Sequence, residues 1–167
     1  MKTLVLVRHA KSSWDNPGLS DFERKLNKRG VRDAPYMGKV VKEKGIQPDL
    51  IVSSPAVRAL TTAKFFAHAL DYSEDQIDKR ESIYTSGPRQ ILTIINHMDD
   101  NLKTIMLFGH NPDLTTLSHY LSDIEFSSCP TCGVVCIDFQ TESWVNVGAM
   151  PGKLRFFEYP KLYFPKK

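Results

Sequence analysis

The chain has 167 residues, with 22 Lys and Arg against 19 Asp and Glu (net charge +3), 41% hydrophobic and 25% charged. That is the composition of an ordinary globular protein large enough to bury a core, without the concentrated basic face of a nucleic-acid binder. The apolar run after Lys2 is far short of a membrane span, no signal segment is read at the start, and three cysteines make no paired disulfide framework. A soluble, cytoplasmic, single-domain protein over residues 1–167 is expected, with neither nucleic acid nor membrane as partner.

Thr3 to Val7 reads as the first strand; its unbroken apolar run Leu4 to Val7 suits a strand buried on both faces and leads directly into Arg8-His9. Lys11 to Leu26 reads as an irregular loop around the turn signal Asn16-Pro17-Gly18. Loops this long in compact domains carry function, and this one follows His9, so it is expected to form a rim or lid. Asn27 caps a helix to about Lys44, with Val31, Ala34, Met37, Val40 and Val41 as its buried face. Pro35 predicts a distorted or later start, and Gly45 ends the helix. Leu50 to Val52 is a second strand. Ser54 as N-cap and Pro55 as first helical residue open a helix to Leu70. Arg58 lies near its start, where free N–H groups attract anions.

Gly87-Pro88 opens another helix with Ile91, Leu92, Ile94 and Ile95 as its apolar side. Thr104 to Phe108 is a third buried strand, followed by Gly109-His110-Asn111-Pro112-Asp113. Here Asn111 is the expected N-cap and Pro112 the first residue of a helix with the stripe Leu114, Leu117, Ser118 and Leu121. Gly133 to Phe139, Ser143 to Val147 and Lys153 to Tyr159 read as strands, and Pro160 to Lys167 as an extended tail ending in the basic pair Lys166-Lys167. Alternating strands and helices predict an α/β fold with a mostly parallel sheet. The later consecutive strands add an antiparallel neighbour.

Ligands of such sheets bind at the carboxyl ends of the strands, and three of those ends carry Arg8-His9, Arg58 and His110. Two arginines and two histidines at one point suit a tetrahedral anion, because the guanidinium fork matches phosphate oxygens. A histidine can attack phosphorus to form a covalent phosphohistidine, and neighbouring arginines disfavour its protonation. Fixed cationic donors then stabilise the transferring group without a metal, so neither metal nor cofactor is expected. Cys129, Cys132 and Cys136 cluster, but a zinc site needs about four ligands. They read as a strand start and a buried thiol, with a redox or metal role as the alternative. His68, His97 and His119 read as ordinary helix residues.

The segment Leu6-Val7-Arg8-His9-Ala10 resembles the first signature of the histidine phosphatase superfamily, also called phosphoglycerate-mutase-like. Ser54-Pro55-Ala56-Val57-Arg58-Ala59 with Thr62 resembles its second motif and Gly109-His110-Asn111 its third. Length, order and spacing are most similar to the SixA-type phosphohistidine phosphatases. That branch shares a stretch like Asp21 to Leu26 and a late Pro-Thr-Cys like Pro130 to Cys132. The resemblance implies a three-layer α/β/α sandwich with one mixed sheet. It implies His9 as the phosphate-accepting nucleophile, Arg8, Arg58 and His110 as the phosphate pocket, and Arg24 at its mouth, with Ser12 as a further substrate contact.

Relative to the mutase pattern, Ala10, Lys11 and Asp15 replace a glycine, a glutamate and an asparagine, while Ser12 and Trp14 remain. In the short interval between the second and third motifs Glu81 is the nearest carboxyl to where a mutase's acid would come, and Asp21 in the first loop is the alternative proton donor. An imidazole leaving group relaxes the need for one. The expected activity is therefore a metal-independent phosphatase working through a phosphohistidine intermediate, on phosphohistidine of a protein or on a reactive small phosphoester. The alternatives are a sugar-phosphate mutase and a non-catalytic module that binds phosphoproteins.

Overall fold

The computed structural model describes residues 1–165, so the basic pair Lys166-Lys167 lies outside the described residues. One six-stranded mixed sheet carries the fold, in the order β3-β2-β4-β1-β5-β6. The strands are β1 (Lys2–Arg8), β2 (Leu50–Ser53), β3 (Asp78–Lys79), β4 (Thr104–Gly109), β5 (Val134–Phe139) and β6 (Lys153–Glu158). β3, β2, β4 and β1 run parallel, whereas β5 is antiparallel to β1, and β6 to β5. The helices are α1 (Lys28–Glu43), α2 (Val57–Ala69), α3 (Ser82–Thr85), α4 (Pro88–Asn96) and α5 (Asp113–Leu121).

Alternation along the strands sends successive side chains to opposite faces, which splits the core in two. Val5, Val7, Met106 and Phe108 pack with Met37, Val41, Phe66 and Ala67 of α1 and α2. Leu4, Leu6, Ile105 and Leu107 pack with Ile91, Ile95, Leu114 and Leu117 of α4 and α5. This is the expected α/β/α sandwich, and the unbroken apolar run in β1 follows from being covered on both faces.

Several local expectations are corrected. α1 starts at Lys28 with Asn27 accepting from Gly30 N, so Pro35 neither delays nor displaces its start, and Val31 is 49% exposed rather than part of the buried face. Ser54 does not cap a helix beginning at Pro55. α2 begins at Val57 because Ser54 Oγ accepts from Ala56 N in the approach to the helix. Asn111 likewise does not cap, and Pro112 is not the first helical residue. The Asn111–Pro112 bond is cis, α5 starts at Asp113, and the Asn111 amide donates to Cys129 O and Ser128 Oγ. Ser143 to Val147 is not a strand, because Trp144 opens a 3₁₀ turn. Its ring is fully buried and its Nε1 donates to Leu102 O at 2.8 Å. The tail is a 3₁₀ turn at Pro160–Leu162 rather than extended chain. Strand β3 and helix α3 were not expected at all. Among the described residues no helix is long and apolar enough to cross a membrane.

The register aligns the strand ends. Arg8 pairs with Gly109, and Ser53 with Phe108. His9 N donates to Gly109 O (3.1 Å) and Ser54 N to Phe108 O (3.0 Å), carrying the ladder one residue past each strand. The start of α1 closes against the same edge. A Cβ on Gly30 would lie 2.3 Å from Lys11 O, two residues beyond His9. That contact is with backbone and has little room to give. Gly30→Ala is therefore expected to destabilise the fold by about 1–3 kcal/mol, read from urea unfolding midpoints. An unchanged midpoint would show that the Lys11 segment moves freely.

Candidate active site

β1 delivers Arg8 and His9, the β2–α2 junction delivers Ser54 and Arg58, and the end of β4 delivers His110. Arg8, His9, Arg58 and His110, with Ser12, Arg24 and Trp14 from the long loop, line a cavity of about 210 Å³, and Ser54 lies behind His110. His9, Arg58 and His110 are buried, at 7%, 6% and 9% exposure. The two imidazole centroids are 5.3 Å apart.

Backbone carbonyls aim the reactive groups. His9 Nδ1 lies 2.7 Å from Ala10 O. A carbonyl can only accept, so Nδ1 carries the proton and Nε2 keeps its lone pair. Arg8 Nη1 donates to Cys129 O at 2.9 Å. Cys132, at φ 58°, donates its N–H to the carbonyls of Arg8 (3.1 Å) and His9 (3.0 Å). Thr62 Oγ1 accepts from Ala10 N (3.0 Å) and donates to Arg58 O (2.7 Å), tying the segment after β1 to the first turn of α2. His110 Nε2 meets Ser54 Oγ at 2.8 Å. The Nε atoms of Arg8 and Arg58 and Nδ1 of His110 are buried with no protein partner. The two guanidinium Nε–H groups are donors that an oxyanion would satisfy, and Nδ1 of the neutral His110 ring is a third when Ser54 Oγ–H donates to Nε2.

Burial is the largest cause of the titration behaviour. It pushes His9 down from 6.5 to about 3, opposed by the Ala10 hydrogen bond and reinforced by His110, Arg58 and Arg8. Burial, then Arg58, pushes His110 down to about 4. The arginines thus keep His9 neutral as expected, but as a secondary cause. Both imidazoles are uncharged at neutral pH, and His9 Nε2 is an available nucleophile.

Asp21 is the hub of the rim. Its Oδ2 accepts from Tyr84 OH (2.7 Å) and Arg58 Nη2 (3.1 Å), its Oδ1 from Arg24 Nη2 (3.1 Å), and its backbone carbonyl from Arg58 Nη1 (2.7 Å). The Tyr84 hydrogen bond first, then Arg58, lowers its pKa to about 2. Asp21 is therefore a carboxylate here, with no proton to give. Glu81 is exposed, precedes α3, and is not part of the cavity wall. Arg24 is buried. It donates to Ser12 Oγ at 2.5 Å and lies 3.6 Å from the exposed Trp14 ring.

The structure thus brings His9, Arg8, Arg58, His110, Arg24 and Ser12 together, with Asp21 beside them and Glu81 outside. Sequence reasoning missed Tyr84, whose ring also meets His110 edge-on at 5.5 Å. It also missed Ser54 as the partner of His110. The proline-led helix start pointed to the Ser54 position for another purpose. Nothing local marks Tyr84. Cys129, Cys132 and Cys136 are buried free thiols, and burial raises the first and last to about 12. Cys129 and Cys132 contribute backbone to the site. His68, His97 and His119 are exposed and away from it.

The Histidine phosphatase superfamily (branch 1) model matches residues 4–83, which include Arg8, His9 and Arg58. An uncharacterised chloroplastic protein of Arabidopsis thaliana is 30% identical over 159 residues, covering 90% of this chain and 72% of that protein. The chain belongs to the histidine phosphatase superfamily. A candidate phosphohistidine phosphatase, SixA, of Agrobacterium tumefaciens shares the fold with a TM-score of 0.77 and 27% identity, over 95% of this chain and 98% of that one. A protein histidine phosphatase SixA complexed with tungstate superposes with a TM-score of 0.75 at 16% identity, over 95% and 97% of the two chains. The SixA-type resemblance therefore extends over 95% of the chain, and superfamily membership supports phosphatase chemistry.

Two outcomes follow from the site. Thr62→Val keeps volume but strands Ala10 N–H. It should cost about 1–3 kcal/mol of stability and lower kcat more than it raises KM, because the carbonyl that orients His9 belongs to Ala10. The second concerns acid. Below pH 6.5 the unfolded chain protonates His9 and His110 while the fold refuses those protons until about 3 and 4. Stability is therefore full above 6.5 and declines as pH falls toward 4. Urea midpoints should drop over that window, and His9→Asn should flatten the decline. A slope identical to the parent's would mean that His9 protonates normally in the fold.

Proposed function

We propose that this chain hydrolyses phosphoramidates, above all phosphohistidine in a polypeptide, through a covalent phosphohistidine on His9. The observation that carries the proposal is the hydrogen bond from His9 Nδ1 to Ala10 O, which leaves Nε2 as the free base between Arg8, Arg58 and His110.

In the first step the Nε2 lone pair forms a bond to phosphorus as the bond to the leaving nitrogen breaks, and that nitrogen takes the electron pair. Arg8, Arg58 and His110 hold the equatorial oxygens as charge develops on them. In the second step water attacks phosphorus and the P–Nε2 bond breaks. Both protons of the water leave with the phosphate, and His9 returns to its neutral form. Arg24 and Ser12 bind the substrate at the pocket mouth.

The choice of leaving group follows from the acids available. The cavity wall carries no carboxyl side chain among the described residues, Asp21 beside it is ionised, and Glu81 stands away. A general acid must hold a proton near the leaving atom. A phosphohistidine imidazole departs neutral when its second ring nitrogen is protonated, so it needs no such acid. An alkoxide from a sugar phosphate does. Asp21 is then an anchor for Arg58 and Arg24 rather than a proton donor.

His9→Ala should lower turnover by about 10⁴-fold or more. A labelled phosphodonor should leave an acid-labile, alkali-stable label on His9. Full activity in His9→Ala with no label on the parent would sink the mechanism. A panel of phosphohistidine protein, free phosphohistidine, p-nitrophenyl phosphate and phosphosugars, with and without EDTA, should rank the phosphoramidates first. Phosphosugar isomerisation in that panel would favour a mutase, and tight phosphopeptide binding with zero turnover a binding module.

A further inference from the structure

A second cavity, of about 240 Å³, lies beside the first, and Thr131 lines both. Its wall is made by Arg29, Arg32 and Asp33 of α1, by Pro130-Thr131, and by the segment from Tyr159 to Pro165. Arg29, Arg32 and Lys161 supply three positive charges, and among the described residues the only carboxylate in the wall is Asp33. Asp33 is 1% exposed and already engaged, with Oδ1 accepting from Arg32 Nε (2.9 Å) and lying 2.8 Å from Arg32 Nη2. Among the described residues the wall therefore carries an excess of two positive charges.

The cations are set in place rather than scattered. Arg29 Nη2 donates to Thr131 Oγ1 at 3.1 Å, and its Nε stands 3.7 Å from Asp33 Oδ2. The Arg32 guanidinium lies 4.0 Å from the Phe164 ring, and Phe164 is packed against α1 by Tyr36, 4.8 Å away. Both arginine side chains remain more than 40% exposed, at 43% and 47%, so their outer N–H groups face solvent. Pro130, Tyr159 and Pro165 add apolar wall between the charges. A cationic groove with apolar patches suits an acidic polypeptide better than a bare inorganic ion, since a chain brings carboxylates and side-chain stems together.

We propose that this cavity is a docking subsite for acidic side chains flanking the phosphorylated residue of a polypeptide substrate. Thr131 lines both cavities, so a chain with its phosphoryl group between Arg8 and Arg58 is placed to run past Thr131 to Arg29 and Lys161. The proposal rests on the phosphatase function assigned above and names the substrate feature that function selects. The subsite lies outside the machinery that touches phosphorus, so it acts on KM and leaves the chemistry of small phosphodonors alone.

The test compares two phosphohistidine peptides of one sequence, with glutamates or glutamines beside the phosphorylated residue, on the parent protein and on Arg29→Gln/Lys161→Gln. The parent should favour the glutamate peptide in kcat/KM by roughly five- to tenfold, the order expected of two half-exposed ion pairs. The double variant should lose that preference while turning over free phosphohistidine and p-nitrophenyl phosphate as the parent does. Fluorescence anisotropy with the unphosphorylated glutamate and glutamine peptides reads docking without any turnover. The glutamate peptide should bind the parent more tightly, weaken with salt, and weaken in the double variant. Absence of glutamate preference in the parent, or its survival in the double variant, overturns the subsite. Failure of both phosphopeptides to turn over, with glutamate-selective binding intact, overturns the phosphohistidine assignment and leaves the subsite standing.

Discussion

Arg8, Arg58, His9 and His110 meet in one cavity, and the fold can hold these four there because burial leaves the imidazoles uncharged. Four positive charges at that spacing would repel strongly in a medium less polarisable than water. With His9 near 3 and His110 near 4, only the arginines carry charge at neutral pH. Each arginine has an oxygen of the fold on it, Cys129 O on Arg8 and Asp21 on Arg58. The same desolvation that removes charge from His9 leaves its Nε2 lone pair unprotonated, so one physical cause serves both the packing of the site and the chemistry proposed for it.

The positions of these groups are a property of the sheet. β4 lies between β1 and β2, and the register of both pairs brings the last residues of the three strands level. Residues distant in sequence then meet without any long reach, and hydrogen bonds such as Thr62 to Ala10 N finish the alignment. The loop at Cys129 to Cys132 performs the same service from the β5 side through its backbone. That accounts for the cysteines near the site better than thiol chemistry does, since burial holds their protons tightly.

The fold class and the core of the site were legible because both rest on strong local signals. A continuous apolar run reads as a buried strand, and a charged residue just beyond it has little structural purpose. The helix starts were less legible. Ser54 and Asn111 look like caps because serine and asparagine side chains suit the first free N–H groups of a helix, yet tertiary partners claim them, His110 for one and the Cys129 carbonyl for the other. Trp144 sits in an apolar run that reads as strand, but its ring finds a deep slot by turning the chain instead. Tyr84 was illegible for a different reason. Its role depends wholly on where a four-residue helix places it against Asp21, and no periodicity announces that.

The long loop is pinned at its ends by the Ser12–Leu26 bridge and the Ser13 N to Lys25 O bond. Arg24, next to the closing end, is buried against Ser12 next to the opening end. Between these pins the exposed stretch from Trp14 to Leu19 bears almost no core residue. Local opening there costs far less than opening β1, which has a hydrogen-bonded strand on either side. Change of length or composition in that stretch is thereby uncoupled from His9. The pocket can acquire a new threshold for what it admits while His9, Arg8 and the carbonyls that aim them stay where the sheet put them.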